Sequence, residues 1–171
     1  MATESMSMAN VDIGLRSPAR SKLLIHLGVI LALAGVSVPL VSFAFFLLPG
    51  SLFMLPAVFS AVAATGSLLL GTGGFLIFWG FAHVRPDSLP WTLVVAVLMI
   101  AAGATGAIAG GVYALLWLGA PNFRAADFGF LNLISLVGAT SAVALHAGLI
   151  LGLLALARTF FRKPGAELRP S

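Results

Sequence analysis

Four long apolar segments dominate the chain, and each one ends where charged residues, prolines or glycines interrupt it. The segments run from about 23 to 48, 53 to 81, 91 to 118 and 129 to 157. A hydrocarbon core about 30 Å thick is crossed by about 20 apolar residues of α-helix, whereas barrel strands are short and alternate in polarity. The pattern predicts an all-α integral membrane protein with four transmembrane helices in an up-down bundle.

The segments divide the chain into a membrane domain at 22–158, a polar tail at 1–21 and a basic tail at 159–171. The first segment follows a long polar stretch without a small-residue cleavage signal, so we expect it to be retained as an anchor. Ala34-Gly35 recurs as Ala102-Gly103, which is compatible with two tandem helical hairpins. Such a repeat would place a pseudo-two-fold axis along the membrane normal.

Basic residues predict the orientation of the four segments. Three precede the first segment, Arg85 lies between the second and third, and four follow the last one, so that only Arg124 falls on the opposite side. Cytoplasmic loops are enriched in Lys and Arg. We therefore expect both termini to be cytoplasmic, in a bacterial inner membrane or an equivalent membrane.

The composition agrees with a membrane protein and excludes several kinds of chemistry. Hydrophobic residues make up 60% of the chain and charged residues 8%, against roughly 25% charged residues in soluble domains. With no cysteine, thiolate catalysis, disulfides and zinc-cysteine sites are excluded. The basic balance indicates orientation and affinity for anionic lipid headgroups, and we expect no nucleic-acid partner. No carboxylate pair accompanies the histidines, so we expect no enzymatic activity.

Glycines spaced four residues apart indicate close helix packing. Gly106 and Gly110 form one GxxxG pair in the third segment, and Gly148 and Gly152 form another in the fourth. In lipid, helices associate through van der Waals contact, which small residues at this spacing permit. We assign these four glycines to packing.

His146 is the conspicuous polar residue near the middle of a predicted helix. Gly138 and Ala142 precede it at four-residue steps, and Gly71 and Gly103 fall at a similar depth in other segments. Small residues opposite a buried imidazole would leave a groove for a flat macrocycle. One hypothesis is therefore that His146 ligates a tetrapyrrole, haem or chlorophyll, in a groove that includes Gly71, Gly103 and Ala142.

The alternative is a neutral histidine that hydrogen-bonds to a hydroxyl such as Thr72 or Thr105, or to a partner chain. His26 and His83 lie near helix ends, about 16 Å from His146 along the membrane normal at 1.5 Å per residue. They cannot provide a second axial ligand to the same macrocycle. His26 and His83 could approach each other at the inner face, where a quinone headgroup or a peripheral metal is an alternative, but we favour interfacial histidines beside Arg85 and expect no metal site.

Three functions remain open at this stage. The first is an accessory or structural subunit of a larger membrane complex, for example an energy-transducing (respiratory or photosynthetic) one, with other transmembrane subunits as partners. The second is a tetrapyrrole-binding electron-transfer or light-harvesting subunit with His146 as axial ligand. The third is a small transporter or channel, although no Asp, Glu, Lys or Arg lies deep in any segment to accompany a charged substrate.

Overall fold

The chain folds into four long helices. A computed structural model describes residues 18–46, 56–84, 89–119 and 127–161. The helices are α1 (Pro18–Phe46), α2 (Pro56–Val84), α3 (Leu89–Leu118) and α4 (Asp127–Phe161). All four are long and apolar enough to cross a membrane, and the described residues contain no strand. The predicted all-α, four-helix membrane bundle is confirmed.

The helices extend beyond several of the predicted segments. α1 begins at Pro18 instead of about 23, and α4 continues to Phe161 instead of about 157. Hydropathy marks the part of a helix that lies in hydrocarbon, whereas backbone hydrogen bonding continues into the headgroup layer. Proline also suits the first turn of a helix, because the amide it lacks has no intrahelical partner there. The predicted segment residues 47–48 and 53–55 lie outside the described residues.

α1 packs on α2 through small residues that let the two backbones touch. A Cβ placed on Gly28 would lie 2.7 Å from the carbonyl oxygen of Gly73, and one placed on Gly66 would lie 3.0 Å from that of Gly35. Pro39 removes the hydrogen bond that Gly35 would normally accept, and the ring of Pro39 packs on Gly66. Only glycine fits these positions without moving a helix.

α2 packs on α3 at the centre of the bundle, and α4 packs on α3 and touches α2. Met99 of α3 lies against Gly74 of α2 and Gly148 of α4, and the ring of Phe78 lies against Gly152. Phe78 and Met99 are at most 2% exposed. α1 has no interface of comparable size with α3 or α4. We call the side of the bundle with residues 18 and 161 the termini side, and the opposite one the far side.

Candidate functional site

His146 lies on an exposed face of α4, close to the middle of the bundle. The apolar part of α4 runs from Gly129 to Arg158, which places His146 about 4 Å from its centre at 1.5 Å per residue. The Nδ1 atom lies 2.7 Å from the carbonyl oxygen of Ala142, one turn earlier. A carbonyl only accepts hydrogen bonds, so Nδ1 carries the proton. In the neutral ring the lone pair is then on Nε2.

Within the described part of the chain, this is the only hydrogen bond that His146 makes. The hydroxyl of Thr105, one of the partners expected for it, donates instead to the carbonyl of Ala101 at 2.9 Å. Nε2 is therefore available to a donor or to a metal from outside the described bundle.

Gly71 and Gly103 do not lie in a groove beside His146. A Cβ placed on Gly71 would lie 2.6 Å from the Cα atom of Gly103, and the reverse distance is 2.7 Å. The backbones of α2 and α3 thus fill the space that was expected beside these glycines. Ala142, which was also expected in the groove, borders a cavity whose lining does not include His146. The ligation of a macrocycle by His146 stays a prediction.

Two further residues share the exposed face of His146. Asn132 and Ala139 precede it at steps of seven residues, which is nearly two helical turns, and both are exposed. We call Asn132, Ala139 and His146 the α4 seam. The Asn132 amide has no hydrogen-bond partner among the described residues. The spacing of Asn132 and His146 is present in the sequence, but the seam was not predicted, because small residues at four-residue steps were the pattern that indicated helix packing.

A cavity of about 400 Å³ lies in the far-side half of the bundle, between α2, α3 and α4. Four hydroxyl-bearing residues border it: Ser60, Ser67, Tyr113 and Ser135. Small residues on α3 and α4, among them Gly106, Gly138 and Ala142, form much of the remaining wall. The sequence shows these hydroxyls as scattered positions, and only the packing of three helices brings them together.

The hydroxyls of this cavity differ in their hydrogen bonding from three threonine hydroxyls elsewhere on the helices. Exposed Thr65, Thr105 and Thr140 each donate to the carbonyl four residues earlier, at 2.8–2.9 Å. In contrast, none of the four cavity hydroxyls has a hydrogen-bond partner in the described ranges. They can therefore bind a molecule that enters the cavity.

The four glycines assigned to packing all meet another helix. Gly106 lies beside Ser67 of α2 and Ser141 of α4, and a Cβ placed on Gly110 would lie 2.9 Å from the carbonyl oxygen of Ser60. Gly148 and Gly152 of α4 face Met99 and Phe78, respectively.

The other two histidines make the same local bond as His146. Nδ1 of His26 lies 2.6 Å from the carbonyl oxygen of Lys22, and Nδ1 of His83 lies 2.8 Å from that of Trp79. Both lie near the termini side, where a free Nε2 can meet water. No group of three metal-ligating side chains occurs in the residues that the structure describes.

Comparison of the chain with protein-family models, curated proteins and solved structures finds no match in any of the three.

Proposed function

We propose that this chain is an accessory subunit of a larger membrane protein complex, and that its α4 seam binds a transmembrane helix of a partner subunit. The observation that carries the proposal is the environment of His146. This residue is exposed near the middle of the apolar part of α4, and its Nε2 atom has no partner among the described residues. Polar side chains inside a membrane normally face a protein interior or a water-filled cavity. Asn132 and His146 follow that rule if a partner helix covers the seam, but not if the seam faces lipid.

The composition of the seam supports a helix as the covering element. A seven-residue repeat is the spacing that keeps one stripe of a helix against a neighbouring helix. Ala139, between the two polar residues, permits close approach of that helix. Asn132 adds both donors and an acceptor, and Nε2 of His146 adds an acceptor. Hydrogen bonds between membrane helices contribute about 0.6–2 kcal/mol each, enough for these residues to select a partner.

Site-specific photo-cross-linking in native membranes tests this proposal. A photoreactive residue at Ala139 should form an adduct of defined mass with another membrane protein. Ala144 is the matched control, since it is also an exposed alanine of α4 but lies roughly 140° around the helix at 3.6 residues per turn. No such adduct is expected there. The double substitution Asn132→Leu and His146→Leu should weaken the adduct at Ala139 several-fold.

Two results would count against the proposal. Equal labelling of lipid at both positions would mean that the seam faces the bilayer. An adduct with twice the mass of the chain would mean self-association instead of an accessory role.

We propose, as a second candidate, that His146 ligates a tetrapyrrole in an energy-transducing complex. The supporting observation is the Nδ1 hydrogen bond to Ala142. Histidines that bind metals almost always donate the other ring N–H, often to a backbone carbonyl, which orients the ring and leaves one nitrogen for the metal. The macrocycle would lie outside the described bundle, between α4 and the partner.

An absorption spectrum of the gently extracted complex, oxidised and reduced, tests this candidate. The substitution His146→Ala should remove a Soret or pigment band. His83→Ala is the control, because His83 is also exposed and makes the same backbone bond, and it should leave the band unchanged. A complex that contains the chain but has no band, or a band that survives His146→Ala, would exclude ligation by His146.

A further inference from the structure

The cavity between α2, α3 and α4 has a lining without charge. None of the residues that border it is Asp, Glu, Lys, Arg or His. A charged group inside a membrane requires a counter-charge or water, which this lining does not supply. The cavity therefore favours a neutral molecule.

The same lining offers hydrogen-bond donors from three helices. Ser60 and Ser67 lie on α2, Tyr113 on α3 and Ser135 on α4, and none of their hydroxyls is engaged by another described residue. Ser60 and Ser67 are seven residues apart, which is about 10 Å along the helix. Donors thus face the cavity from several sides and at two depths, an arrangement that suits a molecule with more than one acceptor oxygen.

The size and the walls of the cavity further restrict the kind of ligand that it can bind. The volume of about 400 Å³ lies within the usual range for small-molecule sites, about 300–1,000 Å³. Phe59 and Tyr113 add aromatic rings to the wall, and glycines and alanines form much of the rest. Such walls accommodate a flat ring, because aromatic groups prefer offset-stacked or edge-to-face contacts.

We propose that this cavity binds the ring of a lipid-soluble quinone, with its two carbonyl oxygens accepting hydrogen bonds from the serine and tyrosine hydroxyls. A quinone is neutral, flat and carries acceptors on opposite edges of its ring, and its tail extends into the bilayer. A phospholipid headgroup would bring a phosphate that no lining residue neutralises. A sterol would use its single hydroxyl and leave most of the donors without a partner. This cavity adjoins the α4 seam, because Ala139 belongs to both, but the quinone proposal does not depend on a partner at the seam.

Binding of decylubiquinone to the full-length chain in phosphatidylcholine nanodiscs tests the proposal. Tryptophan fluorescence provides the signal, since Trp117 lies next to Tyr113 with their ring centroids 6.4 Å apart. The wild-type chain should show saturable quenching at about one quinone per chain, above the linear partitioning seen when an indifferent membrane protein is used.

A matched pair of glycine substitutions locates the site. A Cβ on Gly138 would meet only the Cβ of Ala109, at 3.8 Å, and one on Gly111 would meet nothing within 4 Å. Both positions therefore accept a Cβ atom without a backbone shift, but only Gly138 borders the cavity. Gly138→Leu should fill the cavity and weaken binding at least 10-fold, whereas Gly111→Leu should leave it unchanged.

A second variant tests the hydrogen bonds without filling the cavity. The double substitution Ser60→Ala and Ser135→Ala should weaken binding roughly 5- to 20-fold, in keeping with two hydrogen bonds of ordinary strength. Helix content and monodispersity establish that each variant is folded. Non-saturable quenching, equal affinity in the Gly138→Leu and Gly111→Leu variants, or full competition by diacylglycerol would each overturn the quinone assignment. The binding assay uses the isolated chain, so its result is independent of the cross-linking result in native membranes.

Discussion

Two glycines that touch each other allow α2 and α3 to pack closely. Gly71 and Gly103 lie so near that a Cβ on either one would meet the Cα atom of the other within 2.7 Å. Real Cβ atoms do not occupy such distances, so a larger residue must push the helices apart. These two positions require glycine because it has no side chain, and not because of its conformational freedom.

We predict that Gly103→Leu destabilises the bundle by about 1–3 kcal/mol, the usual cost of overpacking a well-packed interior. Gly111→Leu on the same helix should change the free energy of unfolding by less than about 0.5 kcal/mol, as surface substitutions do, because a Cβ there meets nothing within 4 Å. Titration of both variants with dodecyl sulfate in mixed micelles, followed by circular dichroism, measures the difference. Equal midpoints would show that the two helices can separate freely at Gly103.

α4 contacts α2 through an aromatic ring that packs against a glycine. The Phe78 side chain is fully buried, and its ring contacts Gly152 so closely that a Cβ at Gly152 would overlap the ring. This contact lies toward the termini side, while the cavity lies in the far-side half. The Phe78 ring thus fills the space between α2 and α4 in the termini-side half of the bundle, and the cavity occupies the space between them in the far-side half.

We predict that Gly152→Leu and Phe78→Ala each destabilise the bundle but partly compensate when combined. The leucine takes up space that the missing ring vacates, so the double variant should be more stable than the sum of the two single effects by about 0.5–3 kcal/mol, the range for residues in contact. A double-mutant cycle of unfolding free energies measures this coupling. Effects that add within about 0.5 kcal/mol would mean that the ring and the glycine do not share one space.

The number and order of the helices could be predicted from the sequence, but the side of each helix that packs against the others could not. Hydropathy predicted four helices in the right order, because lipid demands long apolar runs. Each helix is apolar all round, however, and lipid tails are as apolar as leucine, so hydropathy does not distinguish the packed side from the lipid side. For this reason the depth of His146 was predictable while its exposure was not. The spacing of Gly66, Gly73 and Gly80 by seven residues was the available signal for the α1–α2 contact.

The four helices pack mainly with their neighbours in sequence. α1 packs on α2, α2 on α3 and α3 on α4, with a smaller contact between α4 and α2. Alternating directions place the ends of α2 and α4 on the termini side and the ends of α1 and α3 on the far side. Most of the basic residues follow the same division, since only Arg124 belongs to a far-side connection.

This division predicts how the protein sits in its membrane, and the chain is well suited to the test because it has no cysteine. Single cysteines at Ser5, Ser88 and Ser171 should be protected from a membrane-impermeant maleimide in intact cells or spheroplasts and should react after permeabilisation. A cysteine at Ser51 should react in both conditions. We expect this labelling pattern because loops rich in Lys and Arg stay on the cytoplasmic side of the membrane. The reverse pattern would mean that the basic residues do not orient this protein. Different accessibility of Ser5 and Ser171 would mean that one of the four helices does not cross the membrane, because an even number of crossings returns the chain to the side where it began.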